Sequence, residues 1–392
     1  MFWHRFFLAL VAGSLAWTAA ADEDVDVLSV LAGASLSYDS NLFRRADAFD
    51  PQSDIITTGY VGLRFDKPYM QQRFQLDVTE TLFHYNKFSY LNFDALNYRG
   101  AWLWHLTPRV SGTLSADHSE SQAPFDATLG SQRNVRTVEN IVFNVDGWLF
   151  GGWHQLLGIS GSEQKSEQLF QSQPDFRSLT GEAGVRYVFP SDSSIAVIYR
   201  AIRGNYINVA LVTSNTSYGD YRQDEAEVNA NLILSQSSSV AGRLTWLERR
   251  NDFFTQADFS GVAGQLGYHW TPRDKVRIDF SLRRDIVPYF DLSSGSTYQV
   301  DNVLSIAPAW LVTEKVTVHM LVERGQAYYH GASGPGVTSR HDTRNNLLLG
   351  ADWLPRRSVS AGATLQYLHR SSDDFFSAYD ATIASVRASL RF

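Results

Sequence analysis

Some segments of this 392-residue chain carry charged side chains at every second position. These are the residues whose types and spacing suit a chemical role. Between residues 276 and 283, arginine, aspartate and serine alternate with valine, isoleucine, phenylalanine and leucine. Strand side chains point alternately to two faces, so one face of such a segment is polar. A mixed-sign face can pair internally and hold a hydrated wall, or it can set the selectivity of a pore. The candidates for a pore lining are Asp77, Arg99, Glu182, Arg186, Glu225, Glu227, Arg243, Arg277, Asp279, Arg283, Arg387 and Arg391, with Asp146 and Asp352 on the same face.

Signatures of catalysis are absent from the sequence. It contains no His-Glu-x-x-His pair, no Gly-x-Ser-x-Gly turn and no phosphate-binding glycine loop. The ten histidines lack the spacing of metal ligands, and the acidic runs Asp22–Asp24 and Asp373–Asp374 fit solvated loop charge better than a weak cation site. The chain has no cysteine, which excludes disulfides and thiolate chemistry. We therefore expect neither an enzyme nor a bound cofactor or metal.

Extended strands are the elements that must position the charged residues. Period-two alternation recurs along the chain, for example over residues 74–79, 225–234 and 316–323, whereas apolar residues rarely recur at helical spacing. After Trp17 no apolar run reaches the ~18 residues that indicate a spanning helix. Aromatic residues make up 13% of the chain, and the mean hydropathy is –0.22. This combination suits a membrane barrel, because only alternate strand residues face lipid.

The connections between the predicted strands alternate between tight turns and longer, more polar joins. The tight turns are Asp66–Pro68, Thr107–Arg109, Phe150–Gly152, Pro190–Asp192, Gln236–Ser237, Thr271–Arg273, Thr313–Lys315 and Pro355–Arg357. The longer joins are Asp39–Pro51, Asn86–Phe88, Asp117–Asn134, Glu167–Asp175, Tyr206–Asp220, Asn251–Gln256, Asp285–Ser296, Tyr328–His341 and Ser371–Ala378. Asp117–Asn134 is the longest, and it could fold into a pore as a constriction or lie outside it.

These turns and joins predict an all-β fold, a transmembrane antiparallel β-barrel of about 18 strands. The barrel must close, because an open sheet edge in hydrocarbon leaves backbone groups unsatisfied. A barrel of this size leaves a water-accessible interior. Tryptophans beside the tight turns indicate an interfacial girdle on the periplasmic side. They are Trp102, Trp104, Trp148, Trp153, Trp270, Trp310 and Trp353.

The first residues have the pattern of a secretory signal peptide. A basic start at Arg5, an apolar stretch from Phe6 to Trp17 and the small residues before Asp22 predict cleavage after Ala21. We therefore divide the chain into a signal peptide, residues 1–21, and one barrel domain, residues 22–392. The formal net charge of –7 argues against a nucleic-acid partner. The expected location is the outer membrane of a Gram-negative bacterium, with outer-membrane lipid as a partner.

The last strand carries a further signal. Phe392, Leu390 and Val386 fall on one face of the segment Tyr379–Phe392, and Arg387 and Arg391 on the other. This resembles the C-terminal strand of a bacterial outer-membrane barrel, in which a final Phe is read by the assembly machinery. We therefore expect Phe392 and Leu390 to form an assembly signal for the barrel assembly machinery.

The first strand ends in a pattern that is similar to a known family. Tyr38-Asp39-Ser40-Asn41-Leu42-Phe43-Arg44 resembles the entry strand and loop of the EpsL-type exopolysaccharide outer-membrane barrels, with Ser40 in place of a more usual Asp. Residues Asp39 and Asn41 are good turn formers. We expect Phe43 to cap the rim and Arg44 to pair with Asp39 or with lipid phosphate, so the motif is either a local loop staple or a ligand site.

The resemblance implies a function that the strand pattern alone does not. It implies a porin of exopolysaccharide biosynthesis and export, which gives the polysaccharide in transit a hydrated passage across the outer membrane. A periplasmic polysaccharide-export protein is then an expected partner. The main alternative is a general or saccharide-uptake diffusion porin. A structural barrel or a lipid-modifying enzyme remains a third hypothesis.

Overall fold

The computed structural model describes residues 27–125, 131–168, 172–207, 219–252, 255–290, 295–331 and 340–392. The expected signal peptide, residues 1–21, and the acidic run Asp22–Asp24 lie outside the described residues. No helix in the described ranges is long and apolar enough to cross a membrane.

The described residues form eighteen strands in one sheet. The first nine are β1 (Leu28–Asp39), β2 (Asp54–Tyr69), β3 (Gln72–Tyr85), β4 (Phe93–Thr107), β5 (Val110–Gln122), β6 (Val135–Phe150), β7 (Trp153–Ser166), β8 (Phe176–Val188) and β9 (Ser194–Tyr206). The other nine are β10 (Asp220–Ser235), β11 (Ser238–Asn251), β12 (Phe259–Arg273), β13 (Val276–Pro288), β14 (Tyr298–Thr313), β15 (Val316–His330), β16 (His341–Arg356), β17 (Val359–Ser372) and β18 (Tyr379–Arg391).

The sheet closes on itself. Each strand pairs antiparallel with its neighbours in sequence, and β1 pairs with both β2 and β18. At the seam, the Val30 and Phe392 backbones exchange two N–H···O bonds of 2.9 Å. Closure gives every strand two neighbours, which removes the unpaired edges that hydrocarbon would not tolerate. The prediction of a closed, antiparallel barrel of about 18 strands is confirmed.

The first tight turn lies later than the sequence predicts. Strand β2 continues through Asp66–Pro68 to Tyr69, and the chain reverses at Met70, whose φ is +54°. Asp66 faces Arg73 on β3 and accepts hydrogen bonds of 2.7 Å from its Nε and Nη2 atoms. The Asp-Lys-Pro sequence resembled a turn, but this cross-strand pair keeps the segment extended. Some joins are also shorter than predicted, since β5 runs to Gln122 and β13 to Pro288.

Apolar side chains cover the outside of the barrel. Leu244, Val386 and Leu365 have more than half of their surface exposed, on strand faces opposite to the charged residues. In a soluble protein, this apolar surface would lie in a core, whereas here it forms a belt for lipid. Near the tight turns, Trp310 and Trp353 are exposed on the same face. There are two exceptions: Trp104 is 5% exposed because it stacks against Phe143, and Trp148 is half-buried opposite His154, on the inner face, where its indole N–H donates to the Gly151 carbonyl at 2.8 Å.

Candidate functional site in the barrel lumen

The polar faces of the strands line the inside of the barrel. Within the apolar belt, the candidate charged positions alternate with exposed apolar residues, so closure brings these charges together around one interior. All twelve candidate lining residues lie at inward-facing positions, as do Asp146 and Asp352. Their role in conduction stays a prediction, but their pairing divides the lumen into distinct regions.

One cluster of carboxylates surrounds Arg200 on the inner wall of β8–β10. The Arg200 guanidinium donates to both carboxylate oxygens of Glu227, at 2.6 and 2.9 Å, and to Glu182 at 2.9 Å. Glu225 lies at 3.5 Å from the same guanidinium, and the Thr245 hydroxyl donates to Glu227 at 3.0 Å. Three carboxylates therefore share one arginine, and this cluster is acidic. The sequence placed Glu182, Glu225 and Glu227 in the lining but missed Arg200.

Three aspartates in the lumen are each held between a histidine and an arginine. Asp279, for example, contacts His269 Nδ1 at 2.7 Å and Arg277 Nε at 3.0 Å. In another set, Asp352 lies 2.5 Å from Arg387 Nη2. In each set the carboxylate lies between two basic side chains, and Asp146 is hydrogen-bonded to both His154 and Arg186. The three sets are His154–Asp146–Arg186, His269–Asp279–Arg277 and His319–Asp352–Arg387.

The remaining candidates have simpler surroundings. Asp77 pairs with Arg64 at 2.6 Å, and Arg283 pairs with Asp285 at 3.1 Å. Arg391 donates to the Ser29 hydroxyl across the β1–β18 seam, at 3.2 and 3.4 Å. The other two candidates lie between polar neighbours in register: Arg99 between Asp77 and Asp117, and Arg243 between Asn229 and Gln265.

The inner wall of β16–β18 is basic. Near the start of β16, Asp342 is a fully buried carboxylate that accepts bonds from Arg340, Arg370 and the Tyr329 hydroxyl at 2.5 to 2.8 Å. Only Asp342 and Asp352 on these strands carry inward negative charge in the described chain. The inward arginines of this wall are Arg344, Arg370, Arg387 and Arg391, and Arg340 joins them from the preceding loop.

The β13–β14 hairpin bends into the mouth of the barrel at the end that carries the longer joins. Ile286 and Val300 belong to the strand faces whose other residues, such as Leu282 and Leu304, are exposed to lipid. They themselves are only 5% and 6% exposed. They pack against Leu247, Phe259 and Ala263, which lie on the inner face of β11–β12. The outer face of the hairpin therefore covers the inner face of its neighbours, and the hairpin narrows the lumen.

Strand pairing and loop contacts show the same bend. The β12–β13 pairing ends at Gly264 and Arg284, although both strands continue beyond these residues. At the tip of the hairpin, the Phe290 N–H donates to the Ser172 carbonyl at 2.7 Å. The Phe290 ring meets the Tyr206 ring of β9 with their centroids 5.6 Å apart. The tip thus reaches past β12, β11 and β10 to β9.

Apolar loop residues narrow the opposite side of the mouth. Leu42, Phe43 and Leu91 are buried against the inward side chains of β2–β4, including Tyr85. Phe125, from the join after β5, meets the Phe43 ring at 5.1 Å. The described part of this join therefore folds inward. It is not the longest join in the structure, since β5 is longer than predicted and residues 40–53 form a longer one.

The segment Tyr38–Arg44 forms a local staple. Arg44 donates to both carboxylate oxygens of Asp39, at 2.9 and 2.8 Å, and Asp39 also accepts the Asn41 N–H at 2.9 Å. Asn41 Nδ2 donates to the carbonyls of Arg45 and Asp380, which ties the loop to β18. Of the two expected partners of Arg44, the structure shows Asp39. Phe43 is buried at the mouth, while Tyr38 lies on the outer face.

Comparison with solved structures shows the fold. The chain is similar to OccK1 (OpdK) of Pseudomonas aeruginosa, with a TM-score of 0.54 and 12% sequence identity over 93% of this chain and 99% of that one. A structure of the same organism's OpdK with vanillate gives a TM-score of 0.53 at the same identity and coverage. A third structure, of the outer membrane protein OpdK, gives 0.51.

Sequence comparison adds no family. No protein-family model matches the chain, and no curated protein matches it in sequence. At 12% identity, the similarity to OpdK concerns architecture and not the transported solute. What the comparison shows is that this chain has the closed 18-stranded barrel fold of an outer-membrane protein.

Proposed function

We propose that the chain is an outer-membrane porin that lets small polar solutes, including saccharides, diffuse through its lumen. The observation that carries this proposal is the polarity of the two faces of the barrel, which is the reverse of that in a soluble protein. Apolar side chains lie outside, and a charged, hydrogen-bonding lining lies inside. A lining of mixed sign offers water and polar solutes hydrogen bonds throughout the passage. The alternative of a general or saccharide-uptake porin is thus the hypothesis that the geometry favours.

The narrowed mouth supports small solutes in particular. The β13–β14 hairpin covers one side of the lumen and the Leu42–Phe43 cluster covers the other. Passage then depends on the size of the solute at the mouth and on its charge deeper in the lumen, near Arg200 and the β16–β18 wall. The similarity to OpdK, which is known in complex with vanillate, is compatible with small-solute passage.

The test is transport by the purified barrel. Residues 22–392, refolded into proteoliposomes, should admit mono- and disaccharides and exclude larger oligosaccharides in a swelling assay. Planar bilayers should show discrete conductance steps, and heat-denatured protein should show none. A refolded barrel that passes neither ions nor sugars would contradict the proposal.

Export of an exopolysaccharide is a second proposal, which rests on the resemblance at Tyr38–Arg44. The contacts of this motif close a loop and bury Phe43, so the structure provides a reason for the motif that needs no ligand. Deletion of the gene in its native host separates the two functions. Loss of surface polysaccharide with normal saccharide uptake would favour export and its periplasmic partner; the opposite result would favour diffusion.

A further inference from the structure

A groove with a volume of about 850 Å³ crosses the outer face of the wall from β4 to β10, and Asp252, which follows β11, lies at its far end. Its floor follows one cross-strand row, in which each residue stands opposite the next in register. Gly161, which has no side chain, lies at its centre, and Ile141 and Leu179 on either side are each 56% exposed. The floor is therefore apolar and open to the membrane. The row is Ala116, Ile141, Gly161 and Leu179.

The same row ends in arginines. Leu179 stands opposite Arg203, Arg203 opposite Arg222, and Arg222 opposite Arg250. Like charges directly opposite each other destabilise a sheet unless an anion neutralises them. Arg250 pairs with Glu248 at 2.6 Å. The described residues provide no carboxylate within 4.0 Å of Arg203 or Arg222, and residues 208–218, which connect their strands, contain no Asp or Glu.

Three of the acidic residues near these arginines already have partners, and a fourth, Asp252, lines the end of the groove beside Asp220 and is not within 4.0 Å of either arginine in the described residues. Asp220 accepts a hydrogen bond from Asn205 Nδ2 at 2.7 Å, and Asp224 accepts one from the Tyr199 hydroxyl at 2.5 Å. Glu163, at the edge of the groove, pairs with Arg177 at 2.7 Å. The two arginines therefore present guanidinium groups to the groove, and guanidinium matches phosphate in charge and geometry.

The groove runs in the direction that a lipid of the outer leaflet would take, with one end within the membrane and the other at the extracellular rim. Ala116 and Ile141 lie in the middle of β5 and β6, within the apolar belt. Arg222 lies near the extracellular start of β10, and Arg250 near the extracellular end of β11. Below the arginines, Trp246 is exposed at 48%, as expected for an aromatic side chain near the membrane interface. The apolar end is thus low in the wall and the basic end is at the rim.

We propose that this groove binds a phosphate-bearing glycolipid of the outer leaflet. An acyl chain lies over Ile141, Gly161 and Leu179, and a lipid phosphate sits between Arg203 and Arg222. The phosphate neutralises the two facing arginines, and the acyl chain covers the exposed floor. This site requires an outer-membrane location but not solute passage, so the two proposals can fail separately.

The test uses lipid A as the probe. The barrel is incubated in detergent with bisphosphorylated lipid A, and the lipid retained after purification is counted by native mass spectrometry. Arg203→Gln with Arg222→Gln should lower retention about tenfold, because two charge-assisted contacts are lost. The matched control is Arg273→Gln with Arg356→Gln, two exposed arginines near tight turns on the opposite rim.

A second variant tests the apolar floor without a change of charge. A Cβ at Gly161 would meet Ile141 Cγ2 at 3.4 Å and the Ser178 carbonyl at 3.9 Å, which are ordinary contacts. Gly161→Phe should therefore fold, fill the groove and lower retention of lipid A as well. Dephosphorylated lipid A should bind weakly, and inorganic phosphate should not compete, since it lacks the acyl chain.

Three results would overturn the proposal: unchanged retention in the Arg203/Arg222 variant, an equal loss in the Arg273/Arg356 control, or unchanged retention in Gly161→Phe. Competition by inorganic phosphate alone would show a simple anion site in place of a lipid site. Folding of each variant is checked by its heat-dependent mobility in gels. Conductance should be the same in all variants, because none of the changed residues faces the lumen.

Discussion

At the scale of single residues, Arg200 holds the acidic wall together. Its side chain is 11% exposed, and Glu227, which it contacts with two nitrogens, is 1% exposed. A carboxylate buried to this degree is costly unless it is paired. Without Arg200, three carboxylates would face each other with only Thr245, Asn229 and Gln223 as neutral donors.

We therefore expect Arg200→Ala to destabilise the barrel by about 2 kcal/mol, below the ~3–5 kcal/mol for breaking a fully buried pair because the lumen is hydrated. The free energy of unfolding is measured by urea titration in detergent micelles. The control is Arg99→Ala, because the described chain places no carboxylate within 4.0 Å of Arg99; its expected effect is within ~0.5 kcal/mol. Equal stability of the two variants would show that the cluster does not depend on Arg200.

The inward position of a charged residue could be predicted from sequence, but its partner could not. Alternation placed Glu225 and Glu227 on one face because Val228 and Ala226 occupy the other. Arg200 was missed because its inward neighbours Ile198 and Ile202 are as apolar as the outward ones. Only the register between β9 and β10 brings Arg200 opposite Glu225.

At the scale of elements, the alternation of polar and apolar residues along the strands cannot predict the bend of the β13–β14 hairpin. By its position on β13, Ile286 belongs to the lipid-facing series that includes Leu282. The structure places it on the inner face of β12 instead, where a Cβ on Gly261 would come within 2.7 Å of Ile286 Cδ1. Strand count and turn order depend on local patterns, whereas a hairpin that folds back depends on contacts distant in sequence.

The hairpin should be released by a polar side chain in its contact. Ile286→Asn introduces an amide into the cluster of Leu247, Phe259 and Val300, where burial without a partner is unfavourable. The hairpin should then leave the mouth, and single-channel conductance in planar bilayers should rise. Ile383→Asn, the same change on the inner face of β18 far from the hairpin, should leave conductance unchanged. A rise in both variants, or in neither, would argue against the hairpin as the constriction.

At the scale of the whole molecule, the lumen has two walls of different charge. The acidic cluster lies on β8–β10 and the basic one on β16–β18, which are nearly opposite each other in the ring of eighteen strands. The charged side chains of each wall are held by hydrogen bonds to neighbouring residues, so the two walls do not pair with each other across the lumen. The result is a field across the lumen, through which every permeating ion must pass.

This arrangement predicts opposite changes in ion selectivity when either wall is neutralised. Glu182→Gln keeps an acceptor for Arg200 and removes one negative charge, so the reversal potential in a KCl gradient should shift towards anions. Arg391→Gln removes one positive charge whose observed bonds go to the Ser29 hydroxyl, so selectivity should shift towards cations. Both shifts should shrink in 1 M salt, where the screening length is about 3 Å compared with about 10 Å at 0.1 M. Shifts of the same sign in both variants, or no shift at 0.1 M, would show that these walls do not govern selectivity.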